Sequence, residues 1–408
     1  MRLTRRQYLA ASTAAAALPA AAVRATPPAG ALARAGDFAA TDIAYLDNGS
    51  QHPMPLVGKA AVEAYLAKRT LDPAAQGYVL DDEAPRAAFA KLINADADEI
   101  AWVQSTTAGE QMVLRALGLP QAGGHIVTDT LHFFGSIPLY EEMARQGCEV
   151  TWLRPVDGRI RIEDMRRAVR KGTKLVALSL VSTINGFEHD LKAVCDIAHA
   201  AGALVYADII HAAGAVPVDV KASGVDFAAC ATYKWLMGDF GLGFLYVRRD
   251  VLPRLKRSNY GYYGMKTFTP HVYPLDPPGA TIADYDFSPD ATGAFALGTH
   301  AHAVIAQLGA TLPYIAALGV PAIQRHAQEL TDRLKQELPR RGYPLMTPPE
   351  ARTPIVTCVL AGARERLTAP MAAAKVRLTI GANRFRLTPS VQNGHADIDR
   401  FLGALPKV

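Results

Sequence analysis

The chain is poor in cysteine, with four in 408 residues: Cys148, Cys195, Cys230 and Cys358. None stands in a CxxC pair or at zinc-like spacing, so the sequence offers no structural zinc site and no dithiol redox motif. Each lies in an apolar or helical context and reads as a small buried hydrophobe. Excess charge is scarce as well. The formal net charge is +5, but residues 1–25 supply Arg2, Arg5, Arg6 and Arg24 and no acid, which leaves +1 for the remainder. A near-neutral body gives no electrostatic reason to expect nucleic acid or an anionic membrane as partner. No GxGxxG follows the first strand of the core, which argues against a Rossmann dehydrogenase. There is no internal repeat, and no low-complexity stretch beyond the N-terminus.

What is present is core. Half of the residues are hydrophobic, enough for one large domain and a smaller one. The N-terminus reads "MRLTRRQYLAASTAAAALPAAAVRA". Its Thr4-Arg5-Arg6-Gln7-Tyr8-Leu9 resembles a twin-arginine export signal, followed by an alanine-rich stretch and small residues suited to cleavage after Ala22 or Ala25. The stretch is short, weakly apolar and interrupted by Pro19, so a stable membrane anchor is not expected. The expectation is a periplasmic protein, carried folded by the twin-arginine machinery, with residues 1–25 removed. Residues 26–40 read as a mobile leader.

Short apolar runs then alternate with helical stretches. "EIAWVQ" (99–104), "HIVTD" (125–129), "EVTWL" (149–153), "KLVALSLV" (174–181), "ALVYAD" (203–208), "FAACAT" (227–232) and "GFLYVR" (243–248) read as buried strands. The pattern predicts an α/β fold, a mainly parallel sheet sandwiched by helices, over residues 41–295. From about residue 296, two helices, two strand-like runs and a last helix predict a smaller α+β C-terminal domain, 296–408.

Ligands in such sheets sit at the carboxyl ends of the strands. Asp208 ends "ALVYAD", "ATYK" (231–234) follows the next strand, and "STTAG" (105–109) follows "EIAWVQ". Lys234 raises the sharpest question, since a buried lysine is costly. A desolvated amine loses its charge readily and becomes a nucleophile toward carbonyls. Pyridoxal phosphate chemistry needs such an amine, an acid against the pyridine nitrogen, and a phosphate cradle at a helix N-terminus. Asp208 can be the acid. Ser105, Thr106 and Thr107 can wrap the phosphate. His132 can stack on the ring, Tyr233 can donate to the phosphate, and His211 can reach the ring's 3-oxygen. Each alone has a bland reading: a helix cap, a turn aspartate, a satisfied histidine.

Their order along the chain resembles the class V aminotransferase family: cysteine desulfurase, selenocysteine lyase, kynureninase, isopenicillin N epimerase and relatives. "EIAWVQSTTAGEQMV" and the segment 202–247 around Lys234 carry the likeness, which extends over nearly all of 41–403. The resemblance implies a pyridoxal-phosphate-dependent transferase fold of type I. It implies Lys234 as the Schiff-base lysine and Asp208 as the pyridinium partner. In "FALGTHAHAVIAQLGAT", it implies that Thr299 reaches the phosphate of a neighbouring subunit, hence a homodimer. In "FRLTPSVQNGHADIDRFLGAL", it implies that Arg386 grips the carboxylate of a small amino-acid-like substrate.

Several positions depart from the family. His211 stands where most relatives have glutamine. Tyr233 stands where desulfurases have histidine. Ala231 replaces a phosphate-binding serine, with Thr232 beside it to compensate. Thr183 stands where many have asparagine, with Asn185 nearby as a substitute. Residues 362–385 hold no cysteine, the place where a desulfurase keeps its thiol. Cys358 reads as an inert strand residue. The expected function is amino-acid transamination, with epimerisation (His132 as a second acid) or β-elimination as alternatives.

Overall fold

The computed structural model describes residues 36–39, 42–71 and 81–407. The expected export signal, 1–25, and the leader up to residue 35 lie outside the described residues.

A two-residue strand, β1 (Ala44–Tyr45), comes first. Seven strands then form the central sheet: β2 (Ile100–Val103), β3 (His125–Asp129), β4 (Glu149–Leu153), β5 (Thr173–Ser179), β6 (Leu204–Asp208), β7 (Phe227–Ala231) and β8 (Gly243–Val247). Their order is β2-β8-β7-β6-β5-β3-β4. All are parallel except β8, which runs against both its neighbours. Every residue of β6, β7 and β8 is buried. Helices cover both faces, so these strands are apolar throughout rather than alternating. Period-two geometry still sorts their side chains. Val176 and Leu178 face one apolar cluster, Leu175 and Ala177 the other. In the first cluster the rings of Phe89 and Phe244 stack at 4.0 Å, with Trp102 4.4 Å from Phe244.

A hairpin of β9 (Met265–Pro270) and β10 (Ala283–Phe287) leaves this body and exposes Phe268, Tyr273 and Tyr285. The smaller unit holds β11 (Val356–Val359), β12 (Val376–Arg377), β13 (Thr379–Ile380) and β14 (Arg384–Leu387). Three of these form an antiparallel sheet ordered β11-β14-β13. β12 instead pairs in parallel with β1, so the chain's beginning is stitched into its end. Ala44 and Leu46 share a core with the helices Val320–Arg340, Ala363–Ala373 and His395–Ala404.

Two expectations differ from what is found. The helix His302–Leu318, read as opening the second domain, packs Val304, Ile305, Leu308 and Leu312 into the core of the large sheet. It is apolar around most of its circumference, so it belongs inside the larger body. The chain turns at Gly319 (φ 79°), and the next helix leaves at 73°. Residues 36–39, the described part of the leader, dock at the end of the helix His302–Leu318. Phe38 is buried beside Tyr314 and Ile315, and Tyr314 donates its hydroxyl proton to Asp37 at 3.1 Å.

Phe244→Ala removes the ring on which Phe89 and Trp102 pack. It should cost about 3–5 kcal/mol, read as a lower denaturation midpoint with an unchanged slope.

Candidate active site

Five strand ends meet at one edge of the sheet, and the side chains that follow them build the site. β7 ends at Ala231 and the chain turns sharply. Thr232 is wholly buried and donates to the carbonyls of Asp239 (2.6 Å) and Leu242 (3.1 Å). Its hydroxyl therefore braces the turn that carries Lys234. Gly214 (φ 89°) presses against this turn, and a Cβ there would lie 2.6 Å from the Trp235 carbonyl oxygen. Lys234 is thereby held only 6% exposed. Its Nζ lies 2.9 Å from His211 Nε2. Burial pulls the amine down to about 8, Asp208 opposes this and Arg386 adds to it. Burial, with the charges of Lys234 and Arg386, also pushes His211 well below its usual range. The histidine that replaces glutamine is thus neutral. Trp235 donates its indole N–H to His211 Nδ1 at 3.4 Å.

Asp208, at the end of β6, is buried and raised to about 6, chiefly by desolvation. Its Oδ1 accepts the Ile210 N–H at 2.9 Å. Among the described residues no protein donor reaches Oδ2. That oxygen is free to accept a hydrogen bond from a guest donor.

His132 follows β3. Its Nδ1 meets Ser179 Oγ at 2.9 Å and its Nε2 meets Glu110 Oε1 at 3.0 Å. Glu110 also accepts from Ser136 (2.6 Å) and Tyr140 (2.7 Å). Burial opposes both charges, but mutual attraction outweighs it. Glu110 falls below the usual carboxylate range and His132 rises above the usual imidazole range. Their attraction favours an imidazolium against a carboxylate, and both ring nitrogens are engaged.

After β2, Ser105 caps the helix Thr106–Ala116 by accepting the Ala108 N–H at 3.1 Å. The N–H groups of Thr106 and Thr107 have no protein acceptor among the described residues. This helix end is a ready anion site.

On β14, Arg386 is largely buried. Its Nη1 donates to Thr183 (O at 3.0 Å, Oγ1 at 2.5 Å), and its Nη2 to Ser50 (2.9 Å) and Thr379 (3.0 Å). The one carboxylate near it is Asp47, at 3.8 Å. The fork is thus oriented mainly by neutral oxygens, which leaves its charge available for a substrate carboxylate. Asn185 does not take the expected place near the ring. Its amide donates to Gly158 O (2.7 Å) and Met346 O (3.3 Å) and braces that loop. Tyr233 is half-buried, its ring stacked on Phe240 at 4.2 Å. Thr299 is exposed, on the segment before the helix His302–Leu318.

Glu110, Ser179, Ser50 and Trp235 were not singled out from the sequence. Glu110 left a signal: a carboxylate four residues after Thr106, on the inward stripe of the same helix.

These parts suit one kind of guest. A readily neutralised amine, a bare carboxylate oxygen and free helix N–H groups match an aldehyde, a ring N–H and a phosphate. The profile of the family "Aminotransferase class-V" matches residues 67–381. The chain belongs to that family. Over 303 residues it is 29% identical to a probable cysteine desulfurase of Methanothermobacter thermautotrophicus, covering 72% of each chain. Over 263 residues it is 29% identical to the uncharacterized aminotransferase YcbU of Bacillus subtilis, covering 64% of this chain and 66% of that one. Among solved structures, the cystine C–S lyase C-DES, in a variant with glycine covalently linked to its pyridoxal phosphate, superposes with a TM-score of 0.77. That match covers 88% of this chain and 95% of the other at 18% identity, and shows the shared fold. The enzyme depends on pyridoxal 5'-phosphate, and the residues present fit it. Lys234 would hold the aldehyde carbon, Asp208 the ring nitrogen, and Thr106 and Thr107 the phosphate.

A raised carboxylate destabilises the fold where it is ionised. In cofactor-free protein, Asp208 binds its proton more tightly folded than unfolded. Its penalty is absent near pH 4 and grows as pH rises through 6. Asp208→Asn should therefore stabilise the cofactor-free protein at pH 7 by roughly 1–3 kcal/mol, with the gain vanishing by pH 4 in denaturant melts. Gly214→Ala should act oppositely. It strains a left-handed position against Trp235 by about 1–3 kcal/mol, lowering Tm and weakening cofactor retention measured by dialysis.

Proposed function

We propose that the protein is an aminotransferase that uses Lys234 as its single acid–base group on an amino acid bound through Arg386. The observation that carries this reading is the state of His132. Both its nitrogens are held, by Ser179 and Glu110, so it has no proton to exchange with a substrate on the face away from Lys234. Epimerisation by two opposed bases lacks its second base.

The cofactor, when bound, supplies an electron sink for charge developing at the substrate α-carbon. The chain's own residues do the rest. Arg386 fixes the carboxylate and so sets which α-bond faces the lysine. Lys234, drawn toward neutrality by burial, takes the α-proton and returns it on the same face. Asp208 would stabilise a positive ring nitrogen, and His132, held by Glu110 and Ser179, would cover the ring.

β-Elimination is the second reading, favoured by the likeness to proteins named cysteine desulfurase and C–S lyase. Enzyme-bound persulfide chemistry fits poorly, because all four thiols are buried and Cys358 is pushed up to about 12. Export rests on Arg5–Arg6 and the stretch after them. A homodimer, with Thr299 serving the neighbouring site, rests on the family resemblance of the segment "FALGTHAHAVIAQLGAT", in which Thr299 is exposed.

The test is a panel of amino acids with 2-oxo acid acceptors in deuterated water. Transamination predicts equal amounts of new oxo acid and new amino acid, with recovered substrate deuterated at the α-carbon in its original configuration. Racemised substrate, or sulfide and pyruvate from cysteine without amino transfer, would contradict it.

A further inference from the structure

We propose that Trp235 is a positioning residue: its indole N–H fixes the proton of His211 on Nε2, so that His211 donates toward Lys234 Nζ and favours the neutral form of the amine. The chemistry is a matter of counting protons. A neutral imidazole has one donor nitrogen and one acceptor. An indole N–H can only donate. Trp235 Nε1 reaches His211 Nδ1 at 3.4 Å, so Nδ1 must accept and Nε2 must carry the hydrogen. His211 Nε2 lies 2.9 Å from Lys234 Nζ. A donor at Nε2 requires an acceptor opposite, which is a neutral amine. An ammonium would place two donors face to face. The reverse arrangement, with Lys234 charged and Nε2 accepting, would put Nδ1–H against the indole N–H.

The surroundings allow no easy escape. Trp235 and His211 are each about 2% exposed, so water cannot readily relieve a donor–donor contact. His52 packs edge-on to the Trp235 ring at 6.3 Å and is itself tied to Ser390 and Pro53. Gly214 holds the Trp235 backbone from behind. The charged groups that bear on Lys234 are Asp208 and Asp47, which favour the ammonium, and Arg386, which opposes it; the buried Cys230 thiol beside them stays protonated. Arg386 also opposes charge on His211. Trp235 thus acts through His211 against the pull of Asp208. It gives His211 a defined donor, suited to an anionic oxygen of the cofactor, where a freely flipping imidazole would offer a donor only part of the time.

The experiment uses cofactor-free full-length mature protein with nitrogen-15 histidine. Long-range proton–nitrogen spectra report which ring nitrogen of His211 is protonated, with His211→Gln to assign the signal. The expected result is protonated Nε2 and bare Nδ1. In Trp235→Phe, the packing ring stays and the N–H goes. His211 should then populate the Nδ1–H form, and the pH midpoint for capture of pyridoxal phosphate should rise by about one unit, a tenfold slower capture near neutrality. Wild-type His211 protonated on Nδ1 would overturn the proposal, and so would a Trp235→Phe protein with unchanged His211 signals and capture midpoint. If the variant fails to fold, the wild-type spectrum alone still decides. Neither readout depends on which reaction the enzyme performs.

Discussion

Everything in this site follows from keeping one lysine amine dry. An ammonium in an apolar interior is costly, so burial trades charge for reactivity. The turn after β7 achieves that burial with backbone: Thr232 ties it shut and Gly214 packs against it without a side chain. A neutral amine is the nucleophilic form, but it still has to be aimed. It becomes useful because Asp208 and Arg386 stand close enough to couple to it electrostatically, while His211 defines its hydrogen bond.

The fold supplies this convergence cheaply. Parallel strands end on the same side, so the loops after β2, β3, β5, β6 and β7 deliver side chains to one place. The small unit adds Arg386 from β14, and β1 leads directly to Asp47 and Ser50 beside it. The N-terminal residues therefore do two jobs. They complete the small unit's packing and help orient the Arg386 guanidinium. Glu110 fixes His132 through a carboxylate that accepts three hydrogen bonds and favours its charged form. That arrangement leaves both ring nitrogens engaged.

Much of this was legible in the sequence, because the strands are buried on both faces and read as apolar runs. All seven central strands lie where those runs are, and the acid, amine and cap residues sit at their ends. The helix His302–Leu318 was misplaced, since an all-round apolar helix says that it is buried but not in which core. Asn185 was misread because proximity along the chain does not say which way an amide points. Glu110 and Trp235 were missed for a related reason. Each acts on another side chain through a single bond that only the folded geometry creates.

Lys234 is expected to be the residue that binds the cofactor. Borohydride reduction of the loaded protein followed by peptide mass mapping decides this. The expected result is one pyridoxyl-labelled peptide per chain, carrying the label on Lys234. A label on another lysine, or none at all, would contradict it.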